Sequence, residues 1–147
     1  REVFDRVHET VLQELSAAIS ASDGDVPDDD GLLAELIHSN TRFLRFYVQN
    51  WEILRSVEQV AAVDEHAARL SAKNRRFHVQ RVRRLVERWQ YAGLADASVD
   101  SEAAAVALVT MLSGTAQFLA RGELDQTDEE LGRALSQLWA RALGLVT

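Results

Sequence analysis

Apolar residues recur at intervals of three and four along most of the chain, the period of amphipathic helices, and no segment alternates long enough to make a strand. Val3, Phe4, Val7, Val11, Leu12, Leu15, Ala18 and Ile19 mark one face of a helix over about Glu2–Ser20, whose start carries no Ser, Thr, Asp or Asn cap. A second helix is predicted over Leu32–Gln49 and a short third over Trp51–Ala62, with a kink at Asn50 between them. Asp64 is placed to cap a long fourth helix that runs to about Ala92 and is stopped by Gly93. Val99 and Asp100 fit a staple position and a cap for a helix to about Arg121, closed by Gly122. Thr127 and Glu130 form a capping box for a last helix ending near Leu145. The chain therefore reads as an all-α bundle of about six helices.

The last two helices are apolar over a broader arc than burial on one side requires. Ala103, Ala104, Ala107, Leu108, Met111, Leu112, Thr115, Phe118 and Leu119 cover much of the first. Leu131, Ala134, Leu135, Leu138, Trp139, Ala142, Leu143 and Val146 cover the second. A helix on the surface of a monomer keeps a wide polar face, so this breadth predicts a second copy of the chain packed against the pair. Leu108, Leu112, Leu119, Leu131, Leu135, Leu138 and Trp139 are the expected central contacts of that homodimer.

At 147 residues and 47% hydrophobic content the chain has the size and composition of one domain with a core. It has no cysteine, which removes disulfides, a thiol nucleophile and a cysteine-ligated metal. Uninterrupted apolar runs such as Ala103–Val109 fall far short of the roughly 20 residues that cross a bilayer, and the N-terminus lacks the basic-then-apolar order of a secretory signal. A cytoplasmic protein with no membrane partner is expected. The net charge of −7 disfavours nonspecific binding of nucleic acid by the chain as a whole.

Three features invite chemistry. Asp23, Asp25, Asp28, Asp29 and Asp30 crowd one loop, but if Gly31 is taken as the turn glycine of a calcium loop, Val26 falls at the first ligand position, so a solvated, helix-capping loop is expected. His8, His38, His66 and His78 lack the four-residue spacing of a helix-borne metal site, and there is no phosphate-cradling glycine loop or nucleophile elbow. No metal, no cofactor and no catalytic residue are predicted, and the chain is not expected to be an enzyme. The basic stretch Arg75, Arg76, His78, Arg81, Arg83, Arg84 and Arg88 surrounds the apolar stripe Val79, Val82, Leu85, Val86 and Trp89, with Glu87 among the arginines, and reads as a solvated back face.

More informative are the large and polar side chains set into apolar faces. His8 follows Phe4 by one turn, and Asn40 shares the face of Leu33, Ile37, Leu44 and Tyr47. Together with Phe43, Trp51, Phe77, Arg81, Trp89, Met111, Thr115 and Phe118 they predict an apolar cavity with a few hydrogen-bonding groups, the requirement for binding a small, mostly hydrophobic molecule. Arg81 turned inward would favour a carboxylate-bearing ligand, and turned outward a neutral one. The competing expectation is a helical dimerisation or interaction scaffold that binds nothing small.

The segment Ala92-Gly93-Leu94 with Trp89 before it, the stretch AAVALVTMLSGTAQFLARG over Ala104–Gly122, and LSQLWARALGL over Leu135–Leu145 resemble the C-terminal regulatory domain of the TetR family of bacterial transcriptional regulators. The resemblance covers nearly the whole chain. It implies that residues 1–147 form an effector-binding and dimerisation domain. The segment Glu2–Ser20 would match the helix that links to a DNA-binding domain, and the last two helices would form a four-helix bundle with a second subunit. It implies a small hydrophobic or amphipathic effector that controls operator binding by population shift. The helix-turn-helix of that family is absent from this sequence, so operator DNA is an expected partner only of a longer protein that carries one.

Overall fold

The computed structural model describes residues 31–145, and the helix expected over Glu2–Ser20, the acidic loop and His8 lie outside the described residues. Five α-helices and no strand make up the described residues: α1 Leu32–Gln49, α2 Trp51–Val63, α3 Glu65–Tyr91, α4 Ser101–Ala120 and α5 Asp128–Leu143.

Local chemistry fixes most of the boundaries. The side chain of Asp64 accepts from the Ala67 N–H at 2.9 Å and starts α3, and Asp100 accepts from the Ala103 N–H at 2.8 Å and starts α4. At the start of α5 the Thr127 hydroxyl accepts from the Glu130 N–H, while the Glu130 carboxylate accepts from the Thr127 N–H, so each residue satisfies the other's free amide. Between α1 and α2 the chain bends at Asn50, whose Nδ2 donates to the Phe46 carbonyl at 2.9 Å. Gly93, at φ 77°, closes α3: the amides of Gly93 and Leu94 turn back to the carbonyls of Gln90 and Trp89, a reversal that needs a left-handed residue.

The helices pack mainly as two pairs, α1 on α5 and α3 on α4, with α2 laid against α3 and α1 bridging to α4. Leu44, Val86, Ala105 and Leu143 are wholly buried at the centre of this arrangement. The α1–α5 crossing is close because α5 presents Gly132 and Ser136 there. A Cβ added to Gly132 would fall deep inside contact distance of Thr41 Oγ1 and 3.0 Å from Thr41 Cα. The loop after α3 is tied to the end of α5, since the Asp96 N–H donates to the Leu143 carbonyl at 2.8 Å and Gln90 Nε2 donates to the carbonyls of Asp96 and Val99.

The single chain sorts the seven residues expected at a twofold contact of the two terminal helices. Leu108, Leu112, Leu131, Leu135 and Trp139, expected at a twofold interface, are buried against this chain's own helices, and Leu119 is half-buried on the same core. Leu138, 51% exposed, is the one of the seven that faces outward. On α4 the inner side holds Ala105, Leu108, Leu112 and Ala116, whereas Ala103, Val106, Ala107, Thr110 and Phe118 lie outside. Only 22% of the most apolar window of α4 is buried. By length and composition alone α4 is apolar enough to cross a bilayer, which the run-by-run view missed because Thr110, Ser113, Gly114 and Thr115 interrupt the apolar residues without adding charge.

Candidate functional site

All five helices contribute to the wall of one cavity of about 220 Å³. From α1 come Leu36, Ser39, Asn40, Phe43 and Tyr47, residues whose three- and four-residue spacing keeps them on one face. From α3 come Ser71, Asn74, Arg75, His78, Val82 and Leu85, again on one face. Leu54, Val57 and Glu58 of α2, Val109, Leu112, Ser113 and Gln117 of α4, and Trp139 of α5 complete the lining. An engineered apolar void of about 150 Å³ admits benzene, so this volume suits a molecule of one or two rings.

The polar groups on the wall differ sharply in how well they are satisfied. Asn40 Nδ2 donates to Ser136 Oγ at 3.0 Å, and Ser136 Oγ donates to the Gly132 carbonyl at 2.7 Å. The Tyr47 hydroxyl donates to Glu58 Oε1 at 3.3 Å, and the Gln117 side chain also hydrogen-bonds it. Burial, reinforced by the Glu58 carboxylate, pushes the Tyr47 phenol up to about 12, so it stays protonated and remains a donor. His78 is 8% exposed, and neither of its ring nitrogens has a hydrogen-bond partner among the described residues. Burial, together with the nearby Arg81 cation, brings its pKa down to about 4, so the ring is neutral at pH 7. Trp139 Nε1 is likewise buried without an acceptor among the described residues.

Of the residues expected to bind ligand, the structure brings Asn40, Phe43 and Tyr47 onto the cavity wall. Trp51 stacks on Tyr47 at 5.7 Å and lies under the Arg121 guanidinium, outside the cavity. Trp89 is buried in the core without reaching the lining, and Met111 and Thr115 are partly buried on α4. Phe77 and Phe118 are 45% and 52% exposed and do not line this cavity. Arg81 lines a shallow outer hollow with Arg84, Arg88 and Tyr91, its guanidinium 5.7 Å from the Phe77 ring centroid.

His78, Gln117, Glu58 and Ser113 were not among the expected site residues. For His78 the signal was present, because it precedes Val82 and Leu85 by four and seven residues and so belongs to the buried stripe rather than to the arginines around it. Leu112 and Trp139, expected at a subunit contact, line the cavity instead. Among the described residues no group of three or more His, Asp or Glu side chains is placed to hold a metal ion.

No family model, no curated protein and no solved structure matches this chain.

Proposed function

We propose that the chain is the effector-binding and dimerisation region of a TetR-like transcriptional regulator, whose effector is a small, mostly apolar molecule held in the five-helix cavity. The observation that carries this reading is the cavity itself: about 220 Å³ walled by Leu36, Phe43, Leu54, Val82, Leu85, Leu112 and other apolar side chains, with polar residues such as Asn40, His78, Ser113 and Gln117 set among them. A pure scaffold has no use for such a space, which sacrifices packing contacts. Arg81 lies outside the cavity, and Arg75, which is on its wall, is exposed and shares that wall with Glu58, so a neutral effector is favoured over a carboxylate.

A homodimer is part of the same proposal. The outer side of α4 displays Ala103, Val106, Ala107, Thr110 and Phe118, and α5 adds Ala134, Leu138 and Ala142. Small residues permit close approach of a second helix pair. Arg133, Gln137 and Arg141 on the exposed side of α5 suit a water-rimmed protein interface and not lipid. Because the cavity touches all five described helices, an occupant would bias how they pack and hence how two subunits are set, with a coupling of about 1–3 kcal/mol typical of such switches. Operator binding belongs, on this reading, to a helix-turn-helix domain outside this sequence.

The test is thermal denaturation against a panel of neutral aromatics and lipophilic acids, for the native chain and for Ser113→Phe, which places a ring in the cavity. A ligand that binds only the native state raises the melting temperature with concentration. The expected outcome is stabilisation by neutral aromatics that Ser113→Phe abolishes. If no member of the panel stabilises the native chain, the domain is a dimerisation scaffold.

A further inference from the structure

The cavity wall carries two buried side chains whose hydrogen-bonding capacity is unmet among the described residues. His78 on α3 has two unpartnered ring nitrogens, and Trp139 on α5, 3% exposed, has an unpartnered indole N–H. They stand on different walls, since α3 packs chiefly on α4 and α2 whereas α5 packs chiefly on α1. Buried polar groups in folded proteins are overwhelmingly paired, and each exception calls for a reason. Two exceptions on the lining of one cavity share a single explanation: the ligand supplies their partners.

The chemistry of the two groups sets what those partners are. An indole N–H can only donate, so it requires an acceptor oxygen. A neutral imidazole offers one donor and one acceptor, which a hydroxyl can serve from either side. The two charged side chains on the wall, Arg75 and Glu58, are both exposed and opposite in sign, so neither supplies a buried counter-charge. We propose that the ligand is a neutral, largely apolar molecule carrying a carbonyl or ether oxygen that accepts from Trp139 Nε1–H and a hydroxyl that hydrogen-bonds the His78 ring. The assignment rests on the effector reading above and makes it specific.

Calorimetric titration of the full chain with four probes of one shape tests it. Acetylnaphthol carries both groups, naphthol only the hydroxyl, ethylnaphthalene neither, and hydroxynaphthoate replaces the ketone by a charge. Acetylnaphthol should bind tightest, with about a tenfold loss for each polar group removed. His78→Leu should erase the advantage of naphthol over ethylnaphthalene and leave that of the ketone, and Trp139→Phe should do the reverse. The indole N–H resonance of Trp139 in the native chain should shift with acetylnaphthol and stay in place with naphthol, a readout that does not depend on any variant folding. Equal affinity for the three neutral probes, lost in Ser113→Phe, would overturn the polar assignment while leaving a ligand-binding cavity. Tightest binding by hydroxynaphthoate would overturn neutrality. Absence of binding by all four would end both this assignment and the reading on which it rests.

Discussion

Asn40 on α1 is joined to Ser136 on α5 by a 3.0 Å hydrogen bond from Nδ2 to Oγ, in the interior of the crossing where Gly132 lies against Thr41. Both residues are buried, Ser136 completely. Removing one partner leaves the other without its hydrogen bond away from water, so Asn40→Ala and Ser136→Ala should each lower stability by about 1–3 kcal/mol. Residues in one network do not act independently. Urea denaturation of the double variant should therefore show a smaller loss than the sum of the single ones, and strict additivity would show that the bond contributes nothing.

Gly132→Ala reverses the ordinary expectation for a helix. At an exposed position the change would gain about 1 kcal/mol of helix propensity. Here the new methyl meets Thr41, including its backbone Cα at 3.0 Å. Overpacking of this kind should leave the variant destabilised by about 1–3 kcal/mol. Thermal unfolding checks the sign, and a melting temperature at or above that of the native chain would mean that α1 and α5 do not approach this closely.

His78 predicts a pH dependence. Its pKa lies near 6.5 in the unfolded chain and is lowered to about 4 in the fold by burial and by Arg81. Between those values the unfolded state binds a proton that the folded state does not, so stability is full above about pH 6.5 and declines as pH falls towards 4. The loss should be on the order of 2–3 kcal/mol. Denaturation midpoints measured across this range should slope downward with acidity, and the slope should flatten in His78→Leu.

Two glutamate substitutions on neighbouring helices should part company. Val106 is 48% exposed on the outer side of α4, so Val106→Glu should keep the fold and shift the proposed dimer to monomer. Leu135 is 4% exposed on α5 and faces this chain's own core, so Leu135→Glu should unfold it, because a buried unpaired carboxylate is not tolerated. Sedimentation velocity with circular dichroism separates the outcomes. A native chain that sediments as a monomer at tens of micromolar would defeat the dimer.

What the sequence revealed was whatever short-range chemistry decides. Asp64, Asp100 and the Thr127–Glu130 pair announce helix starts because their side chains bond amides only three residues away. Asn40, Phe43 and Tyr47 were legible as wall residues because polar and aromatic groups on an apolar stripe stand out without any tertiary information. Phe77 and His78 show where this stops. Neighbours on a helix point about 100° apart, and here the histidine turns in while the phenylalanine turns out, a choice made by the helices that pack against α3. α4 presents the same difficulty on a larger scale: it is apolar on nearly every side, so only its packing partners reveal that Leu108 and Leu112 belong inside and Val106 and Phe118 outside.

A space bounded by all five helices cannot shrink by the movement of one side chain, because every wall is a rigid rod held by the others. An apolar space that water does not fill leaves the native protein with more volume than its atoms require, and hydrostatic compression acts on that difference. The protein should be soft under pressure, unfolding at lower pressure than a solidly packed bundle of equal thermal stability. An occupant of the cavity would harden it, so the pressure response reports directly whether the interior is filled.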